Sequence, residues 1–320
     1  MDRFTLERHQ VWLYLLAIAL GWAAGSALPA LAPLAAASLW PVLALLLLAT
    51  FAQIPLLHVR RAWRDARFAR AVLLGNFVAV PLLVWALVAA FGLHGAQRLG
   101  VLLVLLVPCT DWFITFTQLG RGDAARAIAV TPLNLILQLA LLPIYLAAMA
   151  DAQALAGWSW ADLLPAVALV AGPLALAAAL ERRAGRAPRW QRVRERLAWW
   201  PVPLLALVVG LIACAQVAAV GRAWDAVAAT LPLFALYLVG ALALAWGLAR
   251  AHGLPPAQGR TLAFSLGTRN SFVVLPLALA LPPGWEAVAV VIVAQSLVEL
   301  LGMVACVALV PRLWRENDDA

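Results

Sequence analysis

Charged residues are scarce in this chain of 320 residues: only 12% are Asp, Glu, Lys or Arg, and lysine is absent. A soluble domain carries about 25% charged residues. A soluble globule of this size would therefore have too few charges to cover its surface. This scarcity argues against a soluble enzyme, a nucleic-acid-binding domain and a disordered chain.

Cysteine and histidine are also rare, with three and four copies respectively. Cys109, Cys214 and Cys306 all fall in apolar segments, and the histidines fall in loops or at their edges. Neither a CxxC pair nor an HExxH motif occurs, so the sequence predicts no disulfide framework and no zinc site. We expect neither a metal nor another cofactor.

Apolar residues dominate instead, at 65% of the chain. A membrane-spanning helix needs about 20 mostly apolar residues, so the composition predicts about ten crossings and little extramembrane structure. We place the predicted spans at about 11–28, 39–57, 71–92, 99–118, 127–150, 160–180, 198–220, 227–249, 260–281 and 286–310.

All 23 basic residues are arginines, and 20 of them fall in alternate loops between the predicted spans. Alternation of this kind is typical of the positive-inside distribution. It predicts a multi-pass protein of the cell's inner (plasma) membrane with both termini in the cytoplasm. The most basic loop, 181–197, is predicted to lie along the anionic inner leaflet of the lipid bilayer.

We predict two five-span repeats, 1–180 and 198–320, with that loop as their linker, although six of the predicted spans precede the loop and four follow it. An odd number of spans gives the halves opposite topology, as in the inverted repeats of secondary transporters. The fourth and ninth spans contain VPCTDWF (107–113) and LGTRNSF (266–272), in which Pro108 or Gly267 precedes polar residues. The predicted fold is an all-α polytopic bundle in which these two broken helices cross.

Rare polar residues mark the predicted crossing. Ionisable groups inside a membrane are costly and so suggest function; here they are Asp111, Arg269 and Glu299. Asp111 and Arg269 occupy adjacent aligned positions, and their pairing would be either a structural clamp or part of transport. Glu299 has no basic residue in its own span and is the favoured proton-linked group. The predicted lining residues are Cys109, Thr110, Asn134, Gln138, Thr268, Asn270 and Ser271.

These residues resemble the bile acid:sodium symporter superfamily, and within it most closely the arsenite permease branch. The similarity lies in the segment 108–143, in RNSF (269–272) and in SLVELLGM (296–303). The matching positions are Cys109, Gly122, Asp123, Asn134, Gln138, Asn270, Phe272 and Glu299. The resemblance implies a core domain from helices 3–5 and 8–10, and a panel domain from helices 1, 2, 6 and 7.

The resemblance implies proton-coupled efflux of arsenite, and for some members antimonite, with the cysteine contacting the metalloid. Asp111, Trp112 and Val273 depart from the permease pattern. The Glu and Gln of the sodium-coupled branch correspond to Ser265 and Arg269, which argues against sodium coupling through the usual sites. The alternative is a carrier for an organic anion with Arg269 as its counter-charge. An enzyme is not expected, and the sequence does not specify the oligomeric state.

Overall fold

The computed structural model describes residues 10–57, 65–110, 112–151, 160–217, 227–282 and 284–314. Within these ranges all regular structure is helical, and the helices are, in chain order, α1 (Gln10–Ala27), α2 (Leu31–Phe51), α3 (Ala66–Leu74), α4 (Val80–Ala90), α5 (Gly95–Leu105), α6 (Trp112–Leu119), α7 (Ala124–Met149), α8 (Trp160–Ala184), α9 (Pro188–Leu197), α10 (Pro201–Ala215), α11 (Leu231–Ala251), α12 (Pro256–Gly267), α13 (Ser271–Leu279) and α14 (Ala287–Leu313). A π-helical turn, Gly75–Ala79, joins α3 to α4.

Six described helical segments are long and apolar enough to cross a membrane, and α9 with α10 forms a seventh candidate bent by 41°. Their outer faces expose large apolar side chains, including Leu34, Leu82, Ile144 and Val239. Lipid is the environment that such faces require, since a soluble protein seldom exposes so much apolar surface. The all-helical, multi-pass class is therefore confirmed, while the count of ten spans and the inverted repeats stay predictions.

The chain divides into two compact units. The first contains α1, α2, α8, α9, α10 and the segment Phe272–Val293, and the second contains α3–α7, α11, α12 and most of α14. The division does not follow the two sequence halves, because each unit combines helices from both.

The first unit is built around α10, which packs against α1 and α2. Leu43, Leu47 and Val208 are almost completely buried in this unit. The contact between α1 and α10 is close because glycines face the partner backbone. A Cβ atom added at Gly21 would lie 2.1 Å from the carbonyl oxygen of Gly210, and one at Gly25 would lie 2.5 Å from that of Cys214.

The segment predicted as a loop at 181–197 is largely helical, since α8 extends to Ala184 and α9 covers Pro188–Leu197. Proline at the first helical position and a run of Arg, Gln and Glu both favour helix. Two hydrogen bonds hold this segment to the end of α2. The N–H of Leu57 donates to Glu181 Oε2 (3.1 Å), and Arg194 Nε donates to the carbonyl of Ala52 (2.9 Å).

In the second unit, aspartates join the N-termini of α3, α7 and α12. Asp65 caps α3 by accepting from the N–H of Phe68 (3.2 Å) and also accepts from Arg126 Nε (2.7 Å) and Gln258 Nε2 (2.9 Å). Burial opposes ionisation of Asp65, but these hydrogen bonds and the charge of Arg126 outweigh it and hold its pKa below the ordinary value. Asp123 caps α7 and also pairs with Arg126.

The opposite end of α7 is fastened to the start of α5. Arg98 forms an ion pair with Asp151 (2.9 Å) and donates from Nε to the carbonyl of Met149 (2.7 Å). Asp151 also accepts from the N–H of Gly95 (2.8 Å). An aspartate at a helix N-terminus is favourable because it satisfies an unpaired N–H and meets the positive end of the helix dipole. These contacts position α5, whose other end leads into the site described below.

Replacing Gly21 by Ala is expected to destabilise the first unit by about 1–3 kcal/mol, because the added methyl group overlaps backbone that cannot rotate away. The measurement is detergent-solubilised unfolding followed by circular dichroism. Gly172→Ala is the matched control, since no heavy atom lies within 4 Å of a Cβ added there. Equal stability of the two variants would contradict the close contact between α1 and α10.

Candidate functional site

Two helices of the second unit stop where polar residues begin. Helix α5 ends at Leu105 and α6 begins at Trp112, while α12 ends at Gly267 and α13 begins at Ser271. Pro108 lies in the first gap, and Gly267 is the last residue before the second. The non-helical stretches 106–110 and 268–270 are called the crossing segments below. Their backbone groups lack helical partners and must be satisfied in another way.

The crossing segments satisfy each other through an isolated antiparallel bridge between Pro108 and Arg269. The N–H of Cys109 donates to the carbonyl of Thr268 (3.1 Å), and the N–H of Asn270 donates to the carbonyl of Val107 (2.7 Å). A two-residue strand pairing of this kind is stable at membrane depth only when protein surrounds it. The structure therefore brings the two predicted interruptions into direct contact.

Side chains add to this contact. Asn270 Nδ2 donates to Thr110 Oγ1 (3.1 Å), which links the two crossing segments a second time. Thr268 Oγ1 donates to the carbonyl of Phe264 (2.8 Å) and so caps the end of α12. Cys109 is a buried thiol with 3% of its surface exposed. Cys109, Thr110, Thr268 and Asn270 are thus together at the crossing.

Arg269 is buried in the interior, with 2% of its surface exposed. Its Nη2 atom donates to the carbonyls of Ser265 (2.8 Å) and Leu266 (2.9 Å). The same atom donates to Asn76 Oδ1 (2.8 Å), and Nη1 donates to the carbonyl of Leu105 (3.4 Å). One guanidinium therefore meets four oxygens from three different helical segments.

The positions of these oxygens explain why a cation is tolerated here. Ser265 and Leu266 lie in the last turn of α12, and Leu105 is the last residue of α5. Carbonyls in a last helical turn have no intrahelical donor and carry the negative end of the helix dipole. The Tyr237 ring adds a cation–π contact with the guanidinium carbon 5.7 Å from its centroid. Arg269 thus caps two helix ends at once.

Asn76 is a member of this site that the sequence interpretation missed. It is completely buried in the π-helical turn between α3 and α4, and its Nδ2 donates to Ser265 Oγ (2.9 Å). A single amide in the apolar run LLGNFVAV was the available signal. Turns of the π type recur at functional positions because they redirect a side chain out of helical register. Here the redirected group is the acceptor for Arg269.

Glu299 lies on α14 and is 1% exposed. Its Oε2 accepts from the backbone N–H of Arg269 (2.9 Å) and from Gln295 Nε2 (2.6 Å). Gln295 Oε1 in turn accepts from Ser271 Oγ (3.0 Å). The carboxylate of Glu299 therefore contacts the backbone of the crossing segment 268–270. A change in its charge would weaken or strengthen this contact directly. Gln295 lies four residues before Glu299, which places both side chains on one face of α14.

Asn134 and Gln138 lie four residues apart on α7, which places both side chains on one face of the helix. Both are buried, with exposures of 0% and 1%. None of their four side-chain nitrogen and oxygen atoms has a hydrogen-bond partner among the described residues. Buried amides are nearly always paired, so two unpaired amides on one helix face make this position a candidate for binding a polar group. No described hydrogen bond joins them to the crossing segments.

Asp111 lies outside the described residues, so its predicted pairing with Arg269 stays a prediction. The observed partners of the Arg269 side chain are the four oxygens and the Tyr237 ring named above. In the described ranges, no cluster of three His, Cys, Asp or Glu side chains could hold a metal ion.

Comparison with known families decides what kind of protein carries this site. The model of the sodium bile acid symporter family matches residues 40–221, more than half of the chain. The chain belongs to the sodium bile acid symporter family. Members of this family are transporters, and the apolar helices agree with a multi-pass membrane transporter. A search of curated proteins found no match.

Family membership confirms the superfamily part of the sequence resemblance. The arsenite permease branch, the coupling ion and the roles of individual site residues stay predictions. The matched region contains α5, α6 and α7 and therefore Cys109, Asn134 and Gln138, while Arg269 and Glu299 lie beyond it.

Arg269→Ala is expected to lower the free energy of unfolding by about 3 kcal/mol or more, because several buried oxygens lose their donor at about 1–3 kcal/mol each. Arg250→Ala is the matched control, since Arg250 is exposed and stacks on Trp246 at 4.7 Å. Denaturant unfolding in detergent compares the two. A loss for Arg269→Ala no larger than that for Arg250→Ala would show that the guanidinium does not hold the crossing.

Proposed function

We propose that this family member is a secondary active transporter that exports arsenite, with antimonite as a second candidate cargo. The observation that carries the proposal is the pair of buried amides on α7, Asn134 and Gln138, whose polar atoms have no partner among the described residues. At neutral pH arsenite is mostly an uncharged trihydroxide. Its hydroxyl groups both donate and accept, so they match amide nitrogen and oxygen atoms alike.

The thiol of Cys109 supports the same cargo. Soft sulfur ligands favour soft metal and metalloid centres, and this thiol is buried beside the backbone bridge of the crossing segments. In the proposed step a bond forms between Cys109 Sγ and arsenic while one As–O bond breaks. The thiol proton leaves with the hydroxide as water, and the reverse reaction releases the cargo.

The state of Arg269 favours a neutral cargo over the alternative, an organic anion paired with this guanidinium. Arg269 already donates to four oxygens and is 2% exposed. Only its Nε atom has no partner among the described residues. An anion that bound the Nη atoms would compete with three helix-end carbonyls and Asn76, and their loss would leave buried acceptors unpaired. Arg269 is better suited to hold the crossing than to bind cargo.

We propose that protons, and not sodium ions, drive transport. The guanidinium of Arg269 lies among oxygens that would otherwise suit a cation, so a sodium ion there would meet a fixed positive charge. Glu299 is the proposed proton carrier. Protonation would weaken its charge-assisted hydrogen bonds to the N–H of Arg269 and to Gln295, which links proton binding to the geometry of the crossing.

For the whole chain we propose ten spans in two inverted repeats of five. The described helices give ten spans when α3 with α4, α5 with α6 and α12 with α13 each count as one span and α9 as a surface helix. Two repeats of five spans then meet between α7 and α8, before the segment 181–197, the linker predicted from the sequence. The arginine distribution supports cytoplasmic termini in the inner membrane. The core and panel domains implied by the resemblance belong to the same proposal.

Replacing Cys109 by Ser is expected to reduce arsenite uptake into inside-out membrane vesicles by about tenfold or more, because a hydroxyl is a harder ligand than a thiol. Cys214→Ser is the control, since Cys214 is a buried thiol on α10 in the first unit. The vesicles come from a host that lacks other arsenite exporters, and uptake is compared with and without sodium.

Unchanged uptake by Cys109→Ser would remove the thiol from the mechanism. Uptake of a bile acid that is lost in Arg269→Ala, together with no arsenite uptake by the wild type, would favour the organic-anion carrier. A strict requirement for sodium would overturn the proposed proton coupling.

Glu299→Gln is expected to abolish the acceleration of arsenite uptake by an imposed pH gradient, because the amide cannot exchange a proton. The exposed Glu286 provides the control variant Glu286→Gln. Uptake is measured at a series of external pH values with the internal pH held constant. If Glu299→Gln keeps the wild-type response to the gradient, another group carries the proton.

A further inference from the structure

A basic cleft lies at the junction of α8 and α9 in the first unit, far in sequence from the crossing. Its lining consists of Arg183, Arg186, Ala187, Arg189 and Trp190, and we call it the arginine cleft. Three guanidinium groups and no carboxylate line it. A cleft of this composition attracts a ligand with several negatively charged oxygens.

The indole of Trp190 organises the arginines. The guanidinium carbon of Arg183 lies 5.3 Å from its ring centroid, and that of Arg189 lies 5.4 Å from it. A guanidinium that stacks on an aromatic face keeps its in-plane N–H donors available for oxygens. The stacking therefore orders the side chains without using the groups that would bind an anion.

The backbone beneath the cleft is also fixed. The N–H groups of Arg186 and Ala187 donate to the carbonyl of Arg183 at 3.0 and 3.1 Å, which makes a tight turn between the helices. On either side of the cleft, Glu181 and Arg194 bond to the chain around the end of α2, as described above. The arginines thus project from an anchored turn, and a ligand would meet preorganised charge at a low entropic cost.

The surroundings of the cleft point to lipid. Helix α8 is a candidate span, and the basic helix α9 leads directly into the apolar helix α10, so the cleft lies between two membrane segments. Along α9, Trp190, Val193 and Leu197 recur at helical spacing, and Trp199 and Trp200 follow with exposures of 45% and 54%. A basic helix with one apolar stripe and flanking tryptophans is typical of the membrane interface.

We propose that the arginine cleft binds the phosphate headgroup of an anionic phospholipid. The headgroup oxygens would accept from Arg183, Arg186 and Arg189, while the acyl chains lie against the apolar outer faces of α8 and α10. A nucleic acid or a soluble acidic protein fits less well, because the cleft adjoins exposed apolar surface that lipid already covers. This inference is independent of the transported substrate and of the coupling ion.

The test compares lipid binding to the purified full-length chain in an uncharged detergent. Native mass spectrometry counts bound phosphatidylglycerol and phosphatidylcholine at equal concentrations. We expect phosphatidylglycerol to bind preferentially to the wild type. The triple variant R183Q/R186Q/R189Q should lose about a hundredfold in affinity for it, since each arginine near an anionic surface contributes about a fivefold factor.

The matched control is R182Q/R192Q/R196Q, which removes the same charge from the same exposed segment but outside the cleft lining. It should bind phosphatidylglycerol within about threefold of the wild type, because only long-range attraction is reduced. An equal loss in both triple variants would mean a diffuse charge effect and overturn the site.

Two outcomes with the wild type alone also decide the proposal, so it does not depend on the folding of a variant. Equal binding of the two phospholipids would overturn it. Displacement of phosphatidylglycerol by millimolar inorganic phosphate would assign the cleft to free phosphate and not to lipid. Retention of the lipid in that phosphate concentration supports the proposed headgroup site.

Discussion

The guanidinium of Arg269 is the contact on which the arrangement of the second unit depends. Two helices stop inside the apolar interior, and each leaves carbonyls that no helical N–H can reach. Burying those carbonyls without donors would cost several kcal/mol. Arg269 removes the cost by donating to oxygens at both helix ends and to Asn76. The helix interruptions are therefore tolerated because Arg269 donates to their carbonyls, and the buried guanidinium is tolerated because those carbonyls accept its hydrogen bonds.

This contact also defines what the rest of the site can do. With Arg269 engaged, the remaining buried polar groups are uncharged amides, hydroxyls and a thiol, together with Glu299. Such a set suits a small neutral solute with hydroxyl groups better than a bulky anion. Glu299 accepts a hydrogen bond from the backbone N–H of Arg269, so the proposed proton carrier contacts the crossing directly. Cargo binding and proton coupling are therefore proposed for two separate sets of buried residues, the amides on α7 and Glu299 at the crossing.

Much of this could be predicted from the sequence, because membrane proteins obey strong constraints. Long apolar runs predict helices, since only internal hydrogen bonds satisfy a backbone in lipid, and polar residues beside Pro108 and Gly267 predict interruptions. Family membership agrees with the resemblance built on the motifs around Cys109. Asn76 was missed because one amide in an apolar run carries no spacing pattern. The helix α9 was missed because the charged segment between apolar runs was read as a connection, although its Arg, Gln and Glu residues favour helix.

The sequence by itself determined the class of protein, the places where helices are interrupted and the rarity of charge within the spans. These follow from composition and local pattern, which do not depend on distant parts of the chain. Only the tertiary structure decided the partners of Arg269. Arg269 donates a hydrogen bond to Asn76, which lies 193 residues earlier in the sequence. No local sequence pattern specifies contacts over such a separation. The role of a buried charge depends on the groups that contact it, and only the folded chain brings those groups together.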